Sequence, residues 1–458
     1  MKVNQTRFPL VAALMVLIAA TLAAAQTNPT SGSQVQPSTN SASNSTPKSQ
    51  TADAQPTPAK KITAYSLPPE LYQKAHNLRR IYFRFLLISF FYGVVVLWLI
   101  LRLKLASKYR TWAERISSKR FVQVLVFAPL LVLTIDVLEL PTEIYQHWLG
   151  SSYGLSIQGW PSWLWDWTKG EMVSIIIATV LVWIFYAVVR RSPRRWWVSF
   201  WVVSLPIGLF LIFLQPLIVD PLFHKFEPLA QKDPALTMEL EKLVQHAGEE
   251  IPPERMFWMG AGEKTTTLNA YVTGFGASKR IVVWDTTIKK MTTPQIVFVT
   301  GHEMGHYVLQ HLPKGLAMGA VMLLIGFYLG FRCIGWVLSR WGAVWDIRGL
   351  DDLASLPALL LLFSIMTFAT SPIVSAASRY LEHQADQYGL EVTHAMTPDS
   401  GQVAAQSFQA LGEVGLSDPD PNPIDVFMFY DHPTIRDRVQ FCLTYDPWSQ
   451  GKQPEFVK

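Results

Sequence analysis

The motif H-E-M-G-H at positions 302–306 has residue types and a spacing that could bind and use a metal ion. The segment 294–311 is predicted to be a helix, so His302 and His306, four positions apart, share one face and can reach a single ion. Zinc accepts imidazole nitrogen readily, and a catalytic zinc keeps one coordination position open. Glu303 follows the first histidine, where it can take a proton from water. The pattern therefore predicts metal-assisted hydrolysis, although a motif this short can also arise by chance on a helix surface.

Two histidines leave zinc short of a protein ligand. The longer pattern H-E-x-x-H-x-x-G-x-x-H does not continue here, because Leu309 and Leu312 occupy its glycine and third-histidine positions. His311 falls one residue early, and we interpret it as a histidine at the membrane interface that points away from the metal. The third ligand must come from farther along the chain.

The segment S-R-Y-L-E-H-Q-A-D at 378–386 supplies two carboxylates on one predicted helical face. Glu382 and Asp386 are four positions apart, so Glu382 could bind the metal while Asp386 holds a ligating histidine through its other ring nitrogen. His383 lies about a hundred degrees around the helix from Glu382 and is a weaker candidate. Taken alone, the pair could equally be ordinary surface carboxylates.

The rest of the composition indicates a membrane protein. Half of the residues are hydrophobic and 16% are charged, against about a quarter charged in a typical soluble domain. A bilayer span needs about 20 predominantly apolar residues. Seven stretches approach or exceed that length with few charges: 8–25, 85–101, 121–138, 172–189, 196–219, 315–331 and 353–378. We therefore predict a multi-pass integral membrane protein with the lipid bilayer as a partner and no nucleic acid.

The first 80 residues divide into two parts. Residues 1–25 have basic residues before an apolar stretch and three alanines after it, which fits a signal peptide or an uncleaved anchor helix. Residues 26–80 begin with a run rich in Ser, Thr, Gln, Asn and Pro, which lacks the apolar content for a core. We predict a disordered linker there. Asp136, within the weakest of the apolar stretches, is interpreted as lying near the membrane interface.

The remaining chain is predicted to alternate between membrane helices and one polar domain. Residues 81–229 and 313–378 are the membrane helices, and residues 230–312 and 379–458 form the two halves of a zinc-peptidase domain. Residues 269–273 and 280–284 are β-rich and read as a hairpin. The predicted fold class is mainly α: a polytopic membrane helix bundle with a small α+β zinc-metallopeptidase domain of gluzincin type.

Charge asymmetry orients the bundle. The loop 102–120 holds seven basic residues and one acidic residue, and the loop 190–195 holds four arginines. The positive-inside rule places both loops in the cytoplasm of an inner or plasma membrane, with the zinc site facing away from the cytoplasm. The basic cluster Lys74, Arg79, Arg80 and Arg84 disagrees with this orientation.

Taken together, the motifs resemble the CAAX prenyl endopeptidases, membrane-embedded zinc metallopeptidases related to the HtpX-like proteases. The resemblance rests on H-E-M-G-H, S-R-Y-L-E-H-Q-A-D and D-H-P-T-I-R-D-R at 431–438, and it covers roughly residues 82–442. It implies a ring of membrane helices around a water-filled chamber, one Zn²⁺ ion, and a peptide or protein substrate. The implied residues are the ligands His302, His306 and Glu382, the base Glu303, the supporting Asp386, the substrate-backbone contacts Asn269 and Ala270, and His432 and Arg438 beside the scissile bond.

Three departures from the family bear on the substrate. Residues 262–268 replace the Ser/Arg/His-rich run of the eukaryotic members, the predicted orientation is opposite to theirs, and a signal-like N-terminus is unexpected. Three functions therefore stay open: an endopeptidase for lipidated or membrane-associated peptides, a quality-control protease for misfolded membrane proteins, and a non-enzymatic transporter with an incidental metal motif. The intact Glu303 disfavours the transporter, because a purely structural zinc needs no general base.

Overall fold

The structure, a computed structural model, describes residues 61–274 and 276–457. Helices predominate, with four short strands between the fourth and fifth of the six longest apolar helices. In chain order the elements are α1 (Pro69–Arg102), α2 (Leu105–Ile116), α3 (Arg120–Ser152), α4 (Trp160–Arg191), α5 (Trp196–Leu214), α6 (Asp220–Phe223), β1 (Phe226–Pro228), α7 (Leu229–Lys232), α8 (Pro234–His246), β2 (Met256–Met259), β3 (Ala270–Thr273), β4 (Arg280–Trp284), α9 (Asp285–Lys290), α10 (Thr293–Val308), α11 (His311–Trp341), α12 (Leu356–His394), α13 (Ser400–Val414), α14 (Pro423–Phe429) and α15 (Ile435–Thr444).

Within these described residues, six helices are long and apolar enough to cross a membrane. They are Pro69–Arg102, Arg120–Ser152, Trp160–Arg191, Trp196–Phe223, His311–Trp341 and Leu353–His394. Each contains one of the predicted apolar stretches, so six of the seven are confirmed as helices. The seventh, at 8–25, lies outside the described residues, as does most of the predicted linker. The chamber implied by the resemblance stays a prediction.

The helices bury a common apolar core between them. Its largest fully buried side chains include Phe127 on α3, Tyr186 on α4, and Trp196 and Phe200 on α5. Many large apolar side chains on the outer faces of the same helices are exposed, for example Phe91 at 60% and Phe210 at 62%. Apolar helices that expose such side chains in quantity are expected only where lipid replaces water.

Asp136 lies midway along α3 and is 4% exposed. Its carboxyl group faces Glu171 of the neighbouring helix α4. The interfacial location predicted for Asp136 from the sequence stays a prediction.

The prediction of a disordered linker at residues 26–80 is wrong over its last part. Helix α1 begins at Pro69, and the residues just before it are fixed to α13. The backbone N–H of Ile62 donates to Gln402, whose amide donates back to the Ile62 carbonyl. The Tyr65 hydroxyl donates to the Ser417 carbonyl at 2.7 Å and is itself buried. These bonds connect the start of the first membrane helix to the polar domain.

The polar domain contains one four-stranded sheet in the order β1-β2-β4-β3. Strands β1 and β2 are antiparallel, β2 and β4 are parallel, and β3 and β4 form the predicted antiparallel hairpin. Strand β3 is therefore an edge strand, and it packs alongside α10. A single apolar core joins the two halves of the domain, with Phe298 from α10, Tyr388 from α12 and Phe408 from α13 in contact across it. The predicted fold class, a helical membrane bundle with a small α+β domain, is confirmed.

Candidate metal centre

Helix α10 carries the H-E-M-G-H motif and begins at a well-formed cap. The Thr292 side chain accepts from the backbone N–H of Gln295, and the Gln295 side chain accepts from the N–H of Thr292. This reciprocal capping box satisfies two N–H groups that the helix itself cannot pair. Two turns later the helix presents His302, Glu303 and His306, all of which are buried. The motif therefore lies in the interior of the domain, which contradicts the chance-motif alternative of exposed polar residues.

Helix α12 is continuous from the membrane span into the polar domain and brings Glu382 and Asp386 with it. It can approach α10 closely because both helices carry glycine at the contact. A Cβ atom added at Gly389 would lie 3.0 Å from the backbone nitrogen of His302, and one added at Gly301 would lie 3.0 Å from Val392. These small residues set the helix separation at which a carboxylate of α12 reaches the histidines of α10.

The three predicted ligands meet at one point. Nε2 of His302 lies 3.3 Å from Nε2 of His306 and 3.3 Å from Oε2 of Glu382. Nε2 of His306 lies 3.5 Å from Oε1 of Glu382. Among the described residues, these three form the group of potential ligands whose donor atoms lie within 4.8 Å of one another. Two imidazole nitrogens and one carboxylate are a donor set that suits a catalytic zinc.

The surroundings of the Glu382 carboxylate support a cation bound between the three potential ligands. Its side chain is fully buried, and neither of its carboxylate oxygens has a hydrogen-bond partner of good geometry among the described residues. Burying a carboxylate without hydrogen bonds is costly unless an opposite charge is bound to it. The residues present therefore fit a bound metal ion, which would face both oxygens.

Asp386 takes the supporting position predicted for it. Its Oδ1 lies 2.8 Å from Nδ1 of His302, the ring nitrogen that faces away from the ligand cluster. Arg438 holds the same carboxylate through two hydrogen bonds, from Nη2 to Oδ1 at 2.6 Å and from Nε to Oδ2 at 2.9 Å. The structure thus joins Arg438 to Asp386, and the position beside the scissile bond that the resemblance implied stays a prediction.

The two metal-facing histidines have opposite electrostatic surroundings. Burial lowers the pKa of His302, but the neighbouring carboxylates of Asp386 and Glu382 outweigh burial and raise that pKa to about 9. Burial dominates at His306 and lowers its pKa to about 3. His306 is therefore neutral at physiological pH, while His302 must give up a proton before its Nε2 can bind a metal.

His311 lies outside the group of three potential ligands, as expected from the sequence, but its side chain contacts one of them. Helix α10 ends at Val308, and Gln310 has a left-handed backbone conformation with φ 57° and ψ 37°. This turn brings the His311 side chain back into the domain, where it is fully buried. Its Nδ1 lies 3.0 Å from Nδ1 of His306. Sequence spacing could not show this contact, because it depends on the break between two helices.

His432 is the other predicted residue that borders the ligand cluster. Its Nε2 lies 3.3 Å from Oε2 of Glu382, and its Nδ1 lies 2.9 Å from Oδ1 of Asp431. Burial lowers the pKa of His432, but the charges of Glu382 and Asp431 outweigh burial and raise it. His432 is therefore disposed to be protonated and to donate a hydrogen bond beside the metal-facing carboxylate. His383, in contrast, is exposed and packs against Phe441, so it does not reach the cluster.

Asn269 and Ala270 lie at the start of the edge strand β3. The Asn269 backbone N–H donates to the Thr287 hydroxyl at 2.7 Å, and its carbonyl accepts from Trp284 N–H at 3.0 Å. Because antiparallel pairs alternate, the peptide groups of Ala270 and Val272 then face the free edge. A substrate strand could pair with that edge.

Tyr307 closes the far end of this edge, a contact that the sequence did not reveal. Its hydroxyl donates to the Gly274 carbonyl at 3.1 Å and lies 3.4 Å from the Val272 carbonyl. Tyr307 follows His306 directly, so the metal-binding helix and the edge strand are joined by one side chain. Nothing local to the motif in the sequence identifies this strand as the partner of Tyr307.

The segment before Asn269 is attached to the membrane bundle. The Thr265 and Thr266 hydroxyls donate to the carbonyls of Leu155 and Gly154, in the connection between α3 and α4. The Lys264 ammonium pairs with Asp166 of α4 at 2.6 Å. The run that departs from the eukaryotic family pattern is therefore used to fix the edge strand to the membrane helices.

Comparison with known proteins agrees with this geometry. The model of peptidase family M48 matches residues 230–445, and the model described as CAAX prenyl protease N-terminal, five membrane helices, matches residues 50–225. The chain is 38% identical to the uncharacterized metalloprotease YhfN of Bacillus subtilis over 77% of this chain and 81% of that protein. It is 24% identical to the probable CAAX prenyl protease 1 of Schizosaccharomyces pombe over 77% of this chain and 73% of that protein.

A solved structure shows the same fold. The crystal structure of S. mikatae Ste24p superposes with a TM-score of 0.70 at 23% sequence identity, covering 82% of this chain and 91% of that chain. The family models and the Bacillus relative account for the membrane helices and the domain with the H-E-M-G-H helix alike. The chain belongs to the CAAX prenyl endopeptidase family and is a membrane metalloprotease.

Proposed function

We propose that the protein is a zinc endopeptidase in which His302, His306 and Glu382 hold one Zn²⁺ ion and Glu303 is the general base. The observation that carries this proposal is the convergence of two Nε2 atoms on a buried carboxylate that has no hydrogen bonds of its own among the described residues. A zinc ion held there supplies Lewis acidity to the scissile carbonyl and to the attacking water.

The protein's own groups supply the proton transfers. Glu303 is buried on the same helix as the two histidines, and its carboxylate accepts the proton of the attacking water and then passes it to the leaving amine. His432, with its raised pKa, donates from Nε2 to the oxygen on which negative charge develops. Arg438 does not touch the substrate in this account, because its guanidinium is bound to Asp386.

The edge strand β3 is the proposed binding site for the substrate backbone. Its outward-facing peptide groups at Ala270 and Val272 run beside α10, so a peptide added as a further strand would pass the ligand cluster. Asn269 marks the start of this site, and its backbone is held in place by Thr287. Main-chain pairing of this kind binds an extended peptide with little regard to its side chains.

The substrate is proposed to be membrane-anchored, as the names of the CAAX prenyl protease relatives imply for a lipidated peptide. The support is the position of Glu382 on α12, the helix that begins as an apolar membrane span and ends in the polar domain. A peptide held at the membrane by a lipid or a helix therefore meets the site without leaving the bilayer surface. A quality-control protease for membrane proteins would share this geometry.

The proposed orientation has the metal site facing away from the cytoplasm. Arg79, which belongs to the discordant basic cluster at the start of α1, forms two hydrogen bonds with Asp425 of the polar domain, at 2.5 and 2.6 Å. The division of residues into two membrane segments and two halves of one peptidase domain is likewise our proposal.

The proposal is tested by incubating the purified protein in lipid vesicles with three substrates. These are a prenylated CAAX peptide, the same peptide without the prenyl group, and an unfolded soluble protein. We expect hydrolysis that a zinc chelator stops and added Zn²⁺ restores, with the prenylated peptide cut fastest. Preferential cleavage of the unfolded protein would instead support quality control, and hydrolysis that persists in chelator would contradict the metal mechanism.

A further inference from the structure

The two metal-facing histidines each have a second side chain at their outer ring nitrogen. Nδ1 of His302 faces Asp386 at 2.8 Å, whereas Nδ1 of His306 faces Nδ1 of His311 at 3.0 Å. Both outer partners are fully buried. The rings of His306 and His311 meet nearly edge to face, with an interplanar angle of 72°. The second contact is therefore as well defined as the first.

The hydrogen-bond chemistry assigns the direction of the contact between the two histidines. If Nε2 of His306 binds the ion, the neutral ring carries its proton on Nδ1 and must donate from that atom. Nδ1 of His311 then has to accept, which places the proton of His311 on its Nε2. Two Nδ1 atoms at 3.0 Å cannot both carry protons, so the metal-bound state of His306 selects a single tautomer of His311.

The backbone is arranged to make this contact. Gln310 is one of the non-glycine residues with positive φ, a conformation that is strained for a residue with a side chain. It separates the end of α10 from the start of α11, and His311 is the first residue of α11. Backbone strain of this kind persists where the surrounding structure requires it.

We propose that His311 is a positioning residue of the metal site: it accepts a hydrogen bond from His306 and so fixes the ring orientation that directs Nε2 of His306 to the ion. The inference rests on the metal site of the proposed function. It assigns the two ligating histidines unlike partners, a carboxylate for His302 and a neutral imidazole for His306. It also means that the first residue of a membrane helix holds one of the proposed metal ligands in place.

The test measures the metal affinity of two variants of residue 311. Chelator competition gives the affinity for Zn²⁺, and Co²⁺ serves as a spectroscopic probe of the same site. His311→Leu keeps the volume and removes the acceptor, and we expect the dissociation constant to rise about 10 to 100-fold. His311→Asn places an amide oxygen near the position of Nδ1, so we expect the dissociation constant to change by no more than about threefold. The visible absorption spectrum of bound Co²⁺ should be the same in His311→Asn as in the unaltered protein.

Two control variants separate the possible failures. His383→Leu removes an exposed histidine from α12 and is expected to leave the affinity unchanged. His302→Ala removes a proposed ligand and is expected to abolish tight binding. Tight binding in His302→Ala would contradict the metal site itself. Loss in His302→Ala together with normal affinity in His311→Leu would overturn only the role of His311. If His311→Leu does not fold, His311→Asn decides, because lost affinity there shows that an acceptor is insufficient.

Discussion

Arg438 and Asp386, 52 positions apart in sequence, are joined by two hydrogen bonds behind the metal ligands. The guanidinium also lies 3.8 Å from Oε2 of Glu382. One arginine thus faces Glu382 and Asp386 of α12 and offsets the charge of these two buried acids, which would otherwise repel each other near a single imidazole. The pair explains how Asp386 can be fully buried and still hold His302.

Replacing Asp386 should weaken metal binding and not merely hydrolysis. Asp386→Ala removes the acceptor at Nδ1 of His302, so we expect the zinc dissociation constant to rise about 10 to 100-fold. Chelator competition measures this change. Glu239→Ala is the matched control, since Glu239 pairs with Lys242 at the exposed surface of α8. An Asp386 variant with unaltered zinc affinity would remove this residue from the support of the site.

The pKa of His302 predicts a pH dependence of zinc binding. Zinc binds the unprotonated ring, and this pKa is raised to about 9 in the metal-free protein. Below pH 9 binding therefore releases a proton, so the affinity should rise by about tenfold per pH unit from pH 7 to 9 and level off above. His306, with a pKa lowered to about 3, adds nothing in this range.

Chelator competition between pH 6.5 and 9.5, corrected for protonation of the chelator, measures this slope. Asp386→Asn is the informative control, because it removes a carboxylate that raises the pKa of His302. In that variant the plateau should begin at a lower pH. An affinity that is constant between pH 7 and 9 in the unaltered protein would contradict the assignment.

Asn269→Ala should impair peptide turnover while zinc stays bound. Asn269 is buried at the start of the edge strand, where its backbone is held by the Thr287 hydroxyl. We expect kcat/KM to fall and the zinc content to remain that of the unaltered protein. If the contact strengthens in the transition state, kcat falls; if it does not, KM rises. Loss of zinc in this variant would show that Asn269 supports the metal site instead.

The orientation is tested with a reporter enzyme that works only outside the cytoplasm. Fusion after Asp233, which caps α8 in the polar domain, should give an active reporter. Fusion after Ser192, in the arginine loop between α4 and α5, should give a silent one. These two positions lie on opposite sides of the span Trp196–Phe223. The reverse pattern would place the metal site in the cytoplasm.

The sequence was sufficient to predict the ligand cluster because its parts follow local rules. His302 and His306 share a helical face through their spacing, and Glu382 and Asp386 do so on α12. The apolar stretch before Glu382 placed the second pair on the same side of the membrane as the first. The long spans were equally predictable, since length and composition alone define them.

Contacts that depend on the approach of two elements were not predictable in the same way. His311 reaches His306 because Gln310 adopts a left-handed backbone conformation. Position 310 is not a glycine, so the sequence did not predict this conformation. Arg438 reaches Asp386 because α15 packs beside α12. Each of these contacts joins buried polar side chains that lie on two separate helices.

The central claim, that one carboxylate binds the metal and the other moves a proton, is tested most directly by zinc analysis of two variants alongside a hydrolysis assay. Glu303→Gln removes a base and no ligand, so it should retain one zinc per chain and lose hydrolysis. Glu382→Ala removes a ligand, so it should lose zinc and hydrolysis together. Equal loss of zinc in both variants, or full hydrolysis by Glu303→Gln, would contradict the account.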